Sequence, residues 1–254
     1  MTTTSDLTGK VAFVTGGTRG IGLETVRSLA KLGATVIIGA RDPQKGNEIA
    51  QQFKQDGFNV ESIKIDVNVH QDNVAAYQYL DENYGKLDIL INNAGVLLDQ
   101  ENVSIEVVNR TSTLSSAILR DTFDANFFAQ IDLTQILLPL IRKSDAGRIV
   151  NLSSILGSLS LHADPASPIY GMKTFAYNAS KAALNAFTIH LAAELRDTTI
   201  KVNSIHPGWV RTRLGGGAAD IDEVEGSRTS ILAATLPEDG PTGSFFFEEN
   251  ALPW

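Results

Sequence analysis

Val11-Ala12-Phe13-Val14-Thr15-Gly16-Gly17-Thr18-Arg19-Gly20-Ile21-Gly22 is an apolar run of strand length that passes straight into a glycine-rich turn. Ile21–Leu32 continues as a helix, so the segment reads as strand, tight turn and helix. Gly16, Gly20 and Gly22 let the backbone approach a bound group closely. The helix start adds free N–H groups and the positive end of its dipole, which together suit a pyrophosphate. The spacing is Gly-x-x-x-Gly-x-Gly, and in isolation it could be a mere tight turn. The strand before it and the helix after it favour a dinucleotide site.

The same rhythm repeats along the chain. Further apolar runs occur at Thr35–Ile38, Ser62–Ile65, Ile89–Ile91, Arg148–Leu152, Lys201–Ile205 and Ser244–Phe247. Helical segments such as Pro43–Gln55, Asn73–Tyr84 and Leu114–Ile141 lie between them. This alternation predicts an α/β fold: one Rossmann-type, doubly wound parallel sheet of about seven strands with helices on both faces. No repeat or linker divides the chain, so residues 1–254 read as a single domain carrying both cofactor and substrate sites. Two stretches break the rhythm, Leu156–Thr174 with Pro165, Pro168 and Gly171, and Gly208–Ser227 with three consecutive glycines. Both would follow strands at the sheet edge where such folds bind ligands, although surface elaboration is the plainer reading.

Tyr177 and Lys181, in Tyr-Asn-Ala-Ser-Lys, stand four residues apart and share one helix face. An ammonium beside a phenol favours phenolate and pulls the Tyr pKa down from about 10. Read alone, the two could be a surface pair. With the glycine turn upstream, they point to hydride transfer with a proton donor.

An NAD site usually places an acid about 20 residues past the glycines to hold the ribose 2′-hydroxyl. Here the second strand ends at Gly39, with Arg41 just beyond it and Arg19 in the glycine turn. Two guanidiniums there suit a 2′-phosphate, so NADP(H) is the expected cofactor. Asp42, followed by Pro43, reads instead as a helix N-cap. The alternative is that both arginines are solvated surface groups.

Composition narrows the partners. A formal net charge of -8 argues against nucleic acid or an anionic membrane. The absence of cysteine excludes disulfides, thiolate metal sites and a cysteine nucleophile, and the four histidines lack metal-ligand spacing. The N-terminus has no secretory pattern and no apolar run could span a bilayer, so a cytoplasmic protein is expected.

At this point the residues resemble the short-chain dehydrogenase/reductase family over nearly the whole chain. The matching pieces are Thr-Gly-Gly-Thr-Arg-Gly-Ile-Gly at 15–22, Asp66-Val67, Asn92-Asn93-Ala94-Gly95, Asn126, Asn151-Leu152-Ser153-Ser154, Tyr177-Asn178-Ala179-Ser180-Lys181 and Pro207-Gly208-Trp209-Val210-Arg211-Thr212. Within the family the chain is most similar to NADPH-dependent carbonyl reductases. The resemblance implies that Gly16, Thr18, Arg19, Gly20, Ile21 and Gly22 line the pyrophosphate turn and that Arg41 meets the 2′-phosphate. Asp66 would bond the adenine amine beside Val67, and Asn92, Ala94 and Gly95 would floor the ribose. Val210 and Thr212 would meet the nicotinamide carboxamide.

The implied catalytic set is Asn126, Ser154, Tyr177 and Lys181. Tyr177 protonates the alkoxide, and Ser154, with Ser153 as the alternative, orients the carbonyl. Lys181 lowers the Tyr pKa and holds the nicotinamide ribose, and Asn126 holds a water leading to solvent. The plainer readings are strand-end serines, a turn aspartate and an asparagine at a helix bend. The longer Leu156–Thr174 segment makes a monomer or homodimer expected rather than a tetramer, and offers Leu156, His162, Tyr170 and Met172 as pocket walls. The expected activity is reduction of ketones or aldehydes. A 3-oxoacyl reductase, an alcohol dehydrogenase and a non-catalytic NADP sensor are the alternatives.

Overall fold

The computed structural model describes residues 6–101, 103 and 109–254. Strand β1 (Val11–Thr15) is buried along its whole length. Ala12 and Val14 enter one apolar cluster and Val11 and Phe13 the other, the two-residue alternation of a strand covered on both faces. The remaining strands are β2 (Thr35–Ala40), β3 (Val60–Lys64), β4 (Ile89–Asn92), β5 (Arg148–Leu152), β6 (Lys201–Ile205), β7 (Phe245–Phe247) and β8 (Asn250–Ala251). Their order is β3-β2-β1-β4-β5-β6-β7-β8, parallel throughout except for the antiparallel β7–β8 pair.

The helices are α1 (Gly20–Lys31), α2 (Pro43–Gln55), α3 (His70–Tyr84), α4 (Ser116–Phe123), α5 (Ala129–Ile141), α6 (Leu159–Ala163), α7 (Phe175–Glu194) and α8 (Glu223–Ala234). Val26 and Leu29 of α1, Phe53 of α2 and Ala233 of α8 pack on one face of the sheet. Leu80 of α3, Leu133 and Leu137 of α5 and Leu191 of α7 pack on the other. The chain winds outward in opposite directions from β1 and β4. Their C-terminal ends therefore flank the crevice where such sheets take ligands. The glycine turn leaves β1 at that crevice, and Asn92-Asn93-Ala94-Gly95 leaves β4 there.

The expected α/β architecture is observed, with local corrections. β3 starts at Val60 and stops before Ile65, whose N–H pairs with Ala40 O just past the strand. The segment expected as one helix over 114–141 is α4, a π-helical turn at Asp124–Phe128, and α5. Leu156–Thr174 is not all loop, since a 3-10 turn (Ile155–Gly157) and α6 lie in or against it. Asp42 does cap α2, accepting from the N–H groups of Gln44 and Lys45. Among the described residues no helix is long and apolar enough to cross a membrane.

Candidate active site

The glycine turn is held by its neighbour across the crevice. Gly16 has φ +65°, a backbone conformation natural to glycine, and its N–H donates to Gly39 O at 3.0 Å. Asn93 Nδ2 donates to Thr15 O at 2.7 Å and to Gly16 O at 3.3 Å. Thr15 Oγ1 in turn accepts from the N–H groups of Asn93 and Ala94, each at 3.0 Å. Gly22 is required by this closeness, because a Cβ there would lie 2.5 Å from Asn93 Nδ2 and 2.6 Å from Gly16 O. Thr212 Cγ2 lies 3.5 Å from where a Gly20 Cβ would stand, so the 208–215 loop closes over the turn. Thr18 and Ile21 are half-buried in it.

Arg19 and Arg41 are exposed at the C-terminal edge of the adjacent strands β1 and β2. Neither has a side-chain partner among the described residues, whereas the Asp42 carboxylate is committed to its cap. A turn open to a pyrophosphate with two unpaired cations beside it fits a phosphate-bearing dinucleotide. At the end of β3, Asp66 Oδ1 accepts from Asn68 N and Nδ2, a turn interaction that leaves Oδ2 available, and Val67 is buried beside it.

Asn92 departs from its expected place. Its side chain is fully buried, with Nδ2 donating to Thr134 Oγ1 and Asn151 Oδ1, both at 2.9 Å. Strand alternation turns it toward α5, so its side chain ties β4 to α5 and β5 and does not floor a ribose. Ala94 and Gly95 remain at the crevice. Ala94 O accepts from Gln130 Nε2 at 2.8 Å.

The proton-handling groups meet where β5, α7 and the π-helical turn converge. Ser154, extended at the end of β5, accepts from Leu156 N at 3.2 Å and lies close enough to the Tyr177 hydroxyl to favour its ionised form. Ser153 instead turns its hydroxyl to Lys181 O at 3.5 Å, which selects Ser154 as the partner of Tyr177. Lys181 Nζ donates to Leu152 O at 2.7 Å and stands 5.8 Å from the Tyr177 ring centroid.

The predicted lowering of the Tyr177 pKa is not what this arrangement produces. Burial pushes Tyr177 up to about 12, against the smaller lowering effect of Ser154, and burial brings Lys181 down to about 8. Desolvation disfavours both ions, and it outweighs an ammonium whose hydrogen bond goes to a carbonyl and not to the phenol.

Asn126 lies in the π-helical turn, fully buried. Its Oδ1 accepts from Val96 N at 2.8 Å, and Nδ2 donates to Val96 O at 2.8 Å and Ser180 Oγ at 3.1 Å. Both donors are used, leaving the amide only an oxygen lone pair for a water. Gly95 borders the gap beyond, since a Cβ there would lie 3.2 Å from Asn126 Oδ1 and 3.6 Å from Lys181 Nζ.

A cavity of about 160 Å³ opens beside Ser154 and Tyr177. Ile21, Val103, Leu156, Ile169, Met172, Trp209, Val210 and Leu214 supply most of its wall, with Thr212 at its edge. Of the expected walls, Leu156 and Met172 line it, and His162 and Tyr170 do not. His162 Nε2 lies 3.0 Å from Leu156 O and 3.1 Å from Asn178 Nδ2, while Tyr170 is exposed beneath the Lys173 ammonium.

The order of these pieces along one parallel sheet is matched independently. A family model described as short chain dehydrogenase fits residues 10–220. The chain belongs to the short-chain dehydrogenase family. It is therefore an oxidoreductase of a family that uses NAD(P)(H) with small-molecule substrates. Human carbonyl reductase [NADPH] 1 is 31% identical, the alignment covering 96% of this chain and 98% of that protein. Salutaridine reductase of Papaver bracteatum is 30% identical, over 93% and 94%. The crystal structure of NADPH-bound carbonyl reductase from chicken fatty liver superposes with a TM-score of 0.82 at 26% identity, covering 97% of this chain and 99% of that one.

Four residues of this short-chain dehydrogenase site escaped the sequence reading. Asn93 stands in the Asn92-Asn93-Ala94-Gly95 motif, where the expected roles went to its neighbours. Gln130 and His206 carried no pattern. Asp99 had no local signal at all: its carboxylate, 1% exposed, accepts from Ala176 N at 2.8 Å and Tyr177 N at 2.9 Å.

Proposed function

We propose that this short-chain dehydrogenase is an NADPH-dependent carbonyl reductase that converts ketones or aldehydes to alcohols. The observation that carries the reading is that Ser154 and Tyr177 line one apolar cavity together, with the Lys181 ammonium 5.8 Å from the Tyr177 ring. Gly16, Thr18, Arg19, Gly20, Ile21 and Gly22 would hold the pyrophosphate, and Arg41 with Arg19 the 2′-phosphate. Asp66 and Val67 would take the adenine, Ala94 and Gly95 the ribose, and Val210 and Thr212 the carboxamide. When bound, the reduced nicotinamide supplies hydride to the carbonyl carbon.

The chain's own residues do the rest. Burial keeps Tyr177 a phenol at neutral pH, the state required of a donor, and it protonates the emerging alkoxide. Ser154 donates to the same oxygen, where negative charge develops. Lys181 holds the ribose hydroxyls, and a water in the gap beside Gly95, between Asn126 Oδ1 and Lys181, passes the replacement proton. Among the described residues lining the cavity there is no Lys, Arg, Asp or Glu, which favours uncharged apolar substrates over carboxylates or carrier-bound acids. The Leu156–Thr174 segment is fastened to the start of α7 through Asn178, and in this reading the protein acts as a monomer or homodimer.

The test is the loss of reduced-nicotinamide absorbance with NADPH and with NADH against a panel of ketones and aldehydes. Turnover with NADPH well above NADH is expected. Tyr177→Phe is expected to lower the rate by about 10²–10⁴-fold while NADPH binding persists. Retained reduction in that variant would remove Tyr177 from its assigned role.

A further inference from the structure

His206 stands one residue beyond β6, just before Pro207-Gly208, and lines the same cavity as Ser154 and Tyr177. It is fixed from two sides. Its N–H donates to Phe246 O at 2.9 Å, and its ring lies against Phe247 with centroids 5.4 Å apart. Nδ1 is buried and has no hydrogen-bond partner. Burial holds the imidazole down at about 4, so the ring is neutral at pH 7 and carries one proton. A buried N–H without an acceptor is rarer than a buried acceptor without a donor, so the proton belongs on Nε2, the nitrogen left open to the cavity.

The reductase roles assign nothing to this nitrogen. The other polar groups around the cavity are occupied: Trp209 Nε1 donates to Gly215 O at 2.7 Å, Thr212 Oγ1 accepts from Gly215 N at 3.1 Å, and Ser153 turns to Lys181 O. Beyond the Ser154–Tyr177 pair, His206 Nε2–H is thus a donor facing an apolar chamber without a partner among the described residues. A fixed donor of that kind is a point of selection, because a ligand oxygen that meets it is favoured over a methylene in the same place.

We propose that His206 is a second anchor in the substrate cavity, and that it selects carbonyl compounds carrying a second, uncharged oxygen able to accept from Nε2–H. The proposal rests on the carbonyl-reductase reading of the same site. A neutral donor in a chamber without lining cations suits an ether or carbonyl oxygen and not a carboxylate. His206 is a specificity-determining residue in this scheme and takes no part in hydride or proton transfer.

The experiment compares cyclohexanone with tetrahydropyran-3-one and tetrahydropyran-4-one, which keep its shape and replace one methylene by an ether oxygen. Both kcat/KM with NADPH and the dissociation constant read from tryptophan fluorescence are measured for wild type, His206→Leu, His206→Phe and His206→Gln. His206→Phe keeps a ring against Phe247 should the leucine variant fold poorly, and melting curves verify each protein. For at least one oxa-ketone, the preference over cyclohexanone should fall about tenfold in the Leu and Phe variants, as for one lost hydrogen bond. His206→Gln, which retains an N–H donor, should recover part of it. Ratios unchanged within about twofold in both apolar variants overturn the anchor, and turnover of all three ketones would then leave the reductase reading standing. The converse is also readable: binding ratios that depend on His206 without any turnover keep the anchor and remove the reductase reading.

Discussion

Asp99 reaches across 77 positions of sequence to the first turn of α7, where its carboxylate accepts from the backbone N–H groups of Ala176 and Tyr177. The helix has no cap of its own there, because Thr174 makes no side-chain capping bond. Asp99→Ala therefore leaves two buried donors without partners and removes a negative charge from the positive end of a helix of 20 residues. Each orphaned donor costs about 1–3 kcal/mol, and the lost dipole interaction adds about 0.3–2 kcal/mol. Allowing for partial relaxation, the expected destabilisation is about 3–4 kcal/mol. At about 2–4 °C per kcal/mol for a chain of this size, the melting temperature should fall by about 6–16 °C. One of the two donors belongs to Tyr177 itself, so kcat should also fall, by about 10²-fold for a displacement near 1 Å, with NADPH binding retained. Asp99→Asn keeps one acceptor and should fall between wild type and alanine in both readouts. Thermal unfolding followed by circular dichroism, with steady-state kinetics below the transition, makes the measurement. An alanine variant that melts within about 2 °C of wild type at unchanged kcat would refute the positioning role of Asp99.

Three further outcomes are expected. Arg41→Ala should raise the KM for NADPH by about 10–100-fold, the worth of a charge-assisted bond, and leave the KM for NADH nearly unchanged, whereas Arg19→Ala, which also borders the pyrophosphate, should raise both with the larger rise for NADPH; equal effects on both cofactors in Arg41→Ala would dismiss its 2′-phosphate role. His206 titrates near 4 in the fold and near 6.5 in the unfolded chain, so between these values the unfolded state binds more protons. Its contribution is present above pH 6.5 and lost toward pH 4, by on the order of 3 kcal/mol, and denaturant titrations of His206→Phe should show a flatter acid limb than wild type. Gly22→Ala forces a Cβ against Asn93 Nδ2 and Gly16 O and should cost about 1–3 kcal/mol with weakened NADPH binding, whereas an unchanged dissociation constant would mean that the turn tolerates the shift.

What the sequence determined by itself was local or ordered along the chain. Apolar runs of strand length such as Val11–Val14 specify strands, Asp42-Pro43 specifies a helix start, and the motif order specifies the family, because each rests on neighbours a few positions apart. The choice of Ser154 over Ser153, the placement of Asn92 inside the α5 contact, and the capping of α7 by Asp99 depended on which groups the fold brings together from distant positions. The Tyr177–Lys181 pair shows the division most clearly. Their spacing put them on one helix face. Only the tertiary structure, by burying both and giving the Lys181 ammonium to Leu152 O, decided that desolvation and not mutual attraction governs their protons.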